Sequence, residues 1–333
     1  TTAAAIALAL GLALIIRPGA GMDLGISGGS DVEIAEPPGL VNTILDMIPT
    51  NPFESLATGN MLQIIVFSLI VGAICARLPE KLSGLSRLLV EGNTLMMTMT
   101  SWVMKLAPIG VFALIARTFS DMGLETFLPM ISYMGTVFGA LILAILLIYV
   151  PLLLLVSRVN PLQFFRKFMP AAAFAFSSAS SGATIPLTMN SMDHMGVPRR
   201  ISSFTIPLGA TINMHGTAIM QGVASVFIAL AYGITLSPAD YVTIIVTATL
   251  ASFSTGAVPG VGLVTLAMVL RSVNLPLEGI AVIMGIDRIL DMARTVLNVG
   301  GDAVVTTIVA RQDGSLDDKV YNSRKPAAQA VES

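Results

Sequence analysis

Residues 285 to 311, GIDRILDMARTVLNVGGDAVVTTIVAR, constrain this chain more than any other stretch. Their length and apolar content read as a membrane-spanning helix, yet Asp287, Asp291, Arg294, Asn298 and Asp302 lie inside it. At about 100° per residue, steps of four, three, four and four keep these five within an arc of roughly 80°. They form one polar stripe. A charge inside a bilayer is costly unless it faces protein, water or another charge, so a stripe of this kind marks a substrate or ion path.

The composition points the same way. The chain has 333 residues, 54% of them apolar and 11% charged, with a mean hydropathy of +0.83. Such values exclude an ordinary soluble domain and predict an all-α polytopic membrane protein. A formal net charge of −2 argues against a nucleic-acid partner or an electrostatic clamp on lipid headgroups, leaving membrane lipid as a solvent. The single cysteine, Cys75, has no intrachain partner and reads as a small core residue. The opening run TTAAAIALALGLALII is short of the roughly 20 residues a span needs, and reads as the end of a helix begun before Thr1.

Along the chain, residues 17 to 60 read as a long, partly interfacial loop, residues 61 to 76 as a span, and the stretch to about Ala116 as a longer helix. Met96, Met97 and Met99 in it read as core filler. Residues 126 to 157 contain the most apolar run, GALILAILLIYVPLLLLV, and predict a span. Residues 168 to 192 have small and hydroxyl residues at their middle and basic pairs on both flanks, Arg166 with Lys167 and Arg199 with Arg200. Both ends therefore face the cytoplasm, and the segment is a re-entrant hairpin. A span with a polar middle follows, ISSFTIPLGATINMHGTAIMQGVASVFIALAYG. Residues 241 to 270 break at SFSTGAVPGVG and predict a second hairpin entering from outside. Gln312 to Ser333 read as a polar, disordered cytoplasmic tail.

This topology leaves most arginines and lysines inside, with Arg17, Arg117 and Arg271 outside. Two broken segments at corresponding places predict an inverted-repeat transporter with two re-entrant helical hairpins. Irregular backbone at membrane depth survives only when buried in protein or lining a cavity, so the hairpin tips should meet near the polar stripe.

SSGATIPLTM, TINMHGTA, STGAVPGVG and DRILDMARTVLNVGGD, in this order, resemble the signature regions of the dicarboxylate/amino acid:cation symporter family, which includes the glutamate transporters. The resemblance runs from the first helix to about Arg311. It implies a homotrimer in the bacterial inner membrane with a cytoplasmic C-terminus. Residues 1–157 would form mainly the scaffold, 158–311 the transport core that moves as an elevator, and 312–333 the tail. The first two and a half spans would precede Thr1.

The same resemblance implies that Arg294 grips the side-chain carboxylate of the substrate and Asp291 its amino group. Thr295, Asn298, Thr217 and main chain near Ser181, Val258 and Gly262 would complete the pocket. Asp302 would hold a sodium ion with oxygens of Gly209, Asn213 and Asn298. Carbonyls of Thr211, Ser252, Phe253 and Thr255 would hold a second. Asp287 is expected to support Arg294. Position 215 departs from the family pattern: NMHGT stands where relatives commonly read NMDGT. The aspartate there contributes, with Asn213 and hydroxyls matched by Thr1 and Thr2, to a third sodium site. His215 is a possible proton site in its place, or a hydrogen-bonded neutral side chain.

The expected function is therefore not enzymatic: uptake of glutamate or aspartate driven by sodium, with protons as a second possible coupling ion. The alternatives keep the fold and change the substrate to a C4-dicarboxylate, cystine or a neutral amino acid. An intramembrane hydrolase built on Ser180 or Ser181 with His215 lacks a recognisable spacing. A channel leaves a charge pair shaped for a zwitterion unexplained.

Overall fold

The computed structural model describes residues 1–20, 22, 49–58, 61–104, 127–254 and 261–323. All regular structure among them is helical. The chain divides into two compact units, Thr1–Glu33 with Arg117–Ser333, and Ile34–Ala116.

The smaller unit contains α2 (Pro52–Thr58), α3 (Met61–Arg77) and α4 (Ser83–Met104). The side chain of Asn51 caps α2 by accepting from the N–H groups of Phe53 and Glu54, at 3.1 and 3.4 Å. The longer helix expected up to Ala116 is described as far as Met104. Val258 and Thr255 likewise fall outside the described residues, as does most of the 17–60 loop.

In the larger unit, α1 (Thr2–Ile16) and α5 (Phe127–Ala144) pack against α9 (His215–Ala231). Buried residues run along α9 without a break from His215 to Ala229. Its sequence explains why: apart from His215 and Gln221, HGTAIMQGVASVFIALA is apolar or small on every face, the mark of a helix enclosed by others. Helix α5 continues through two π-helical turns, Ile145–Tyr149 and Leu152–Val156, around Pro151. Proline lacks the N–H that an α-helical ladder needs, and the wider turns re-pair the carbonyls it would strand. Leu146, Leu147, Leu154 and Leu155 are exposed on its outer side, where lipid is the fitting solvent.

The first hairpin is α6 (Pro161–Ser178) followed by α7 (Ser181–His194), packed on one another. Asn160 caps α6 by accepting from Leu162 N–H at 2.9 Å. Ala179 turns the chain at the tip with φ 50°, and Ser180 caps α7 by accepting from Ala183 N–H at 3.2 Å. The span with a polar middle is two helices, α8 (Arg199–Ile212) and α9, parted at Asn213 and Met214. A second packed pair follows, α10 (Pro238–Ser254) and α11 (Val261–Ser272). Next comes the striped helix α12, which runs from Gly279 to Gln312.

The expected disordered tail is corrected in part. Residues Asp318–Asn322 form α13, and Tyr321 is fully buried. The Tyr321 hydroxyl donates to the Asn160 carbonyl at 3.0 Å, and Lys167 donates to the carbonyls of His194 at 2.9 Å and Val320 at 2.6 Å. Arg311 pairs with Asp318, and Arg200 with Asp313. The tail thus latches the base of the first hairpin to the end of α12.

Hydrogen bonding from Arg311 holds the Asp318 carboxyl below its ordinary range, and bonds from Ser315 and Arg200 do the same for Asp313. A depressed carboxylate contributes its stabilisation above the unfolded range and loses it as pH falls through the folded value. Hydrogen exchange in 313–322, taken relative to the free-chain rate at the same pH, is therefore expected to stay slow at neutral pH and to rise below about pH 4. D318N is expected to raise it at neutral pH; an unchanged exchange rate would refute the latch.

Candidate functional site

The polar stripe of α12 faces inward. Asp287, Asp291, Arg294, Thr295, Asn298 and Asp302 are all buried. Arg294 is 1% exposed and is the largest fully buried side chain among the described residues.

Its guanidinium is gripped by two carboxylates. Nη1 and Nη2 meet Asp287 Oδ1 and Oδ2 at 2.7 and 3.2 Å, a fork on a fork. Nε and Nη2 meet Asp291 Oδ1 at 3.0 and 2.9 Å. The i, i+3 and i, i+7 spacings put all three charges on one helix face. Asp287 is therefore a direct partner of Arg294, as its expected supporting role requires.

The guanidinium also adjoins neighbouring helices. A methyl group added to Gly262, at the start of α11, would lie 3.1 Å from Arg294 Nη2 and 3.1 Å from Thr217 Cγ2. At Gly216 the same addition would come 2.5 Å from the Arg294 carbonyl oxygen, so only glycine lets α9 pass this close to α12. Thr217, Gly262, Asp291 and Arg294 thus form one corner. Thr295 spends its hydroxyl on the Asp291 carbonyl at 2.7 Å. Ser181 is buried at the start of α7, a helix that packs against α12.

Asn298 joins this corner to the next. Its side-chain oxygen accepts from Gly216 N–H at 2.7 Å and so caps α9, whose own Met214 supplies no side-chain cap. Its amide nitrogen lies 3.4 Å from Thr217 Oγ1. On the other side, Asn213 Nδ2 donates to Asp302 Oδ1 at 2.8 Å and approaches the Asn298 carbonyl at 3.5 Å. Gly209 backs directly on the Asp302 carboxylate, which an added methyl would meet at 2.6 Å. Asp302, Asn213, Asn298 and Gly209 are together, as expected.

A buried carboxylate without a basic partner among the described residues fits a hard cation. The second expected cation group draws on helix ends. Thr211 lies in the last turn of α8, and Ser252 and Phe253 in the last turn of α10, two helices in contact. The last turn of α8 carries the negative end of its helix dipole, which also suits a cation.

His215 lies beside the Asp302 group with its ring nitrogens 2.8 Å from Tyr149 Oη and 2.8 Å from Thr1 Oγ1. Tyr149 was not a sequence candidate. Its signal was present: it is the lone side-chain hydrogen-bonding group in GALILAILLIYVPLLLLV.

A family model for the sodium:dicarboxylate symporter family matches residues 1–312. The chain belongs to this family of symporters. It is a membrane transporter, and its family is not one of enzymes. The symporter is 34% identical over 96% of its length to a "Proton/sodium-glutamate symport protein" of Bacillus caldotenax, covering 77% of that protein. It is 36% identical over 96% of its length to a "Proton/glutamate-aspartate symporter" of Escherichia coli strain K12, covering 75% of it. It is also 35% identical over 91% of its length to a "Neutral amino acid transporter B(0)" of Bos taurus, covering 62% of that protein.

Proposed function

We propose that this symporter takes up aspartate or glutamate together with sodium. The observation that carries this reading is the buried group Asp287–Arg294–Asp291. An acidic amino acid brings one ammonium and an additional carboxylate, and this corner holds one carboxylate and one guanidinium that can exchange partners to meet them. Asp291 turns from Arg294 to the substrate ammonium, and the Nε and Nη2 edge it leaves, beside Gly262 and Thr217, takes the substrate carboxylate. Asp287 keeps the other edge of the guanidinium throughout, so that no charge is left unpaired in a dry site. Thr295, Asn298 and the tips near Ser181, Val258 and Gly262 complete the pocket. First-turn N–H groups of α7 and α11 suit the substrate's remaining carboxylate.

Asp302, with main-chain oxygens of Asn213, Asn298 and Gly209, would hold one sodium ion. Carbonyls of Thr211, Ser252, Phe253 and Thr255 would hold another. The ion supplies the positive charge that offsets the buried Asp302 carboxylate. The names of the relatives, with sodium and proton symport of glutamate and aspartate, support this coupling. Residues 158–311 are proposed to move as the transport core against a scaffold formed mainly by 1–157, in a homotrimer of a bacterial plasma membrane. The distribution of arginine and lysine supports a cytoplasmic C-terminus.

Uptake of labelled aspartate, glutamate, cystine, alanine and succinate into proteoliposomes tests this reading, with sodium and pH gradients imposed separately. Aspartate or glutamate is expected to accumulate only with a sodium gradient. Preference for succinate would refute the role of Asp291, and preference for alanine that of Arg294.

A further inference from the structure

The bonding around His215 follows from counting protons. The Tyr149 hydroxyl lies 2.8 Å from His215 Nδ1 and 3.0 Å from the Leu297 carbonyl oxygen. A carbonyl can only accept, so the one hydroxyl proton goes to Leu297 and the tyrosine oxygen accepts from Nδ1–H. Nε2 is then the acceptor, and the Thr1 hydroxyl, 2.8 Å away, donates to it. Both ring nitrogens are satisfied in a single tautomer. His215 and Tyr149 are each 2% exposed. Gly301 closes the cluster: a methyl there would lie 2.5 Å from both Tyr149 Oη and Asn213 Nδ2.

The family resemblance puts a cation at this place, held by an aspartate at position 215 with Asn213 and the hydroxyls of Thr1 and Thr2. The donor set present does not fit that ion. A hard cation needs oxygen ligands to replace its lost water, and in the family pattern the aspartate at this position also carries the offsetting charge. Position 215 supplies neutral nitrogens instead. The Thr1 hydroxyl is committed to the ring, and Asn213 turns its NH2 group toward Asp302. Tyr149 is aimed here by the π-helical turn Ile145–Tyr149, a local irregularity of the kind that collects at functional sites.

We propose that the Tyr149–His215–Thr1 chain is a permanent side-chain link standing where the family pattern has its third sodium, and that Tyr149 is the residue that positions it. The symporter then couples one sodium fewer to each substrate than the aspartate-bearing pattern. The link ties α5 and the Thr1 end of α1 to the start of α9 and to the main chain of α12 whatever the sodium concentration, so these two helices travel with residues 158–311 and not with the rest of 1–157. This rests on the sodium-coupled reading above for the identity of the remaining ions.

Radioactive sodium bound at equilibrium to the purified protein, with saturating aspartate, is counted per chain. The unmodified protein is expected to bind one ion at the Asp302 group and one at the ends of α8 and α10. H215D/Y149F supplies a carboxylate and frees it from the tyrosine hydroxyl, and is expected to bind one ion more. Y149F alone keeps the imidazole and is expected to leave the count unchanged while lowering the thermal midpoint. Three outcomes overturn the proposal: an unmodified protein that already binds the additional ion, a count that H215D/Y149F leaves unaltered while aspartate still binds, or a count that Y149F lowers. A protein that binds aspartate but no sodium at all overturns the functional reading and leaves position 215 ion-free as proposed.

Discussion

Replacing Arg294 with alanine is expected to end uptake of aspartate and glutamate. Truncating one partner of a buried, hydrogen-bonded charge pair costs about 2–5 kcal/mol. At about 1.4 kcal/mol per tenfold this is a loss of roughly thirty- to several-thousand-fold in affinity. The substitution has two consequences that must be separated. It removes the group proposed to meet the substrate carboxylate, and it leaves Asp287 and Asp291 facing each other in the interior, which destabilises the fold on its own account. R294A/D287N addresses this by removing one orphaned charge. The double variant is expected to regain thermal stability but not acidic amino acid uptake, with any residual transport shifted toward neutral amino acids. Normal aspartate affinity in a well-folded R294A/D287N would show that the arginine serves only to neutralise the aspartates.

The second large effect is expected for Asp302→Asn. The amide has nearly the shape of the carboxylate and can still accept from Asn213, now at 2.8 Å, so packing is preserved while the charge is lost. Outer groups around a bound metal typically change its affinity about ten- to a hundredfold, and loss of the anionic ligand itself should do at least as much. The sodium concentration for half-maximal aspartate uptake is therefore expected to rise at least about tenfold. Thermal stability gives an independent reading. A ligand that binds only the folded state raises stability with its concentration, so the midpoint of the unmodified protein should climb with sodium and that of D302N should climb far less. Without sodium the variant should be no less stable, since it no longer buries an uncompensated carboxylate. Equal sodium dependence in both proteins would remove Asp302 from the cation site.

Both variants concern residues that the sequence makes conspicuous. Charges in an apolar helix are few, and the 3.6-residue repeat fixes which of them share a face, so the stripe from Asp287 to Asp302 could be drawn without coordinates. The polar middle of the span that follows the first hairpin was visible for a similar reason, because Pro207, Gly209 and Asn213 interrupt it, but the point where the helix parts, at Asn213 and Met214, was not. What periodicity does not carry is which atom meets which. That Asp287 forks both terminal nitrogens of Arg294 while Asp291 takes Nε depends on rotamers. Tyr149 stands out as the one polar side chain of its run, but the direction it faces was not legible, because a uniformly apolar helix has no face to read. Helix α13 was missed because five residues are too few to display a pattern. Its anchor, Tyr321, binds through a ring and one hydroxyl rather than through a run of apolar side chains.

Asn298 bears on how the two sites communicate. Its side chain holds Gly216 and Thr217 on the substrate side, while its main-chain oxygen faces Asn213 and thereby Asp302. A shift in the Asn213–Asp302 group is therefore passed to the start of α9, and a shift at Thr217 to the proposed cation ligands. Thermodynamic linkage makes such an effect reciprocal: whatever factor sodium applies to the affinity for aspartate, aspartate applies to the affinity for sodium. One amide shared by both proposed sites would let each ligand prepare the other's place, which would make a partly loaded carrier the least populated form.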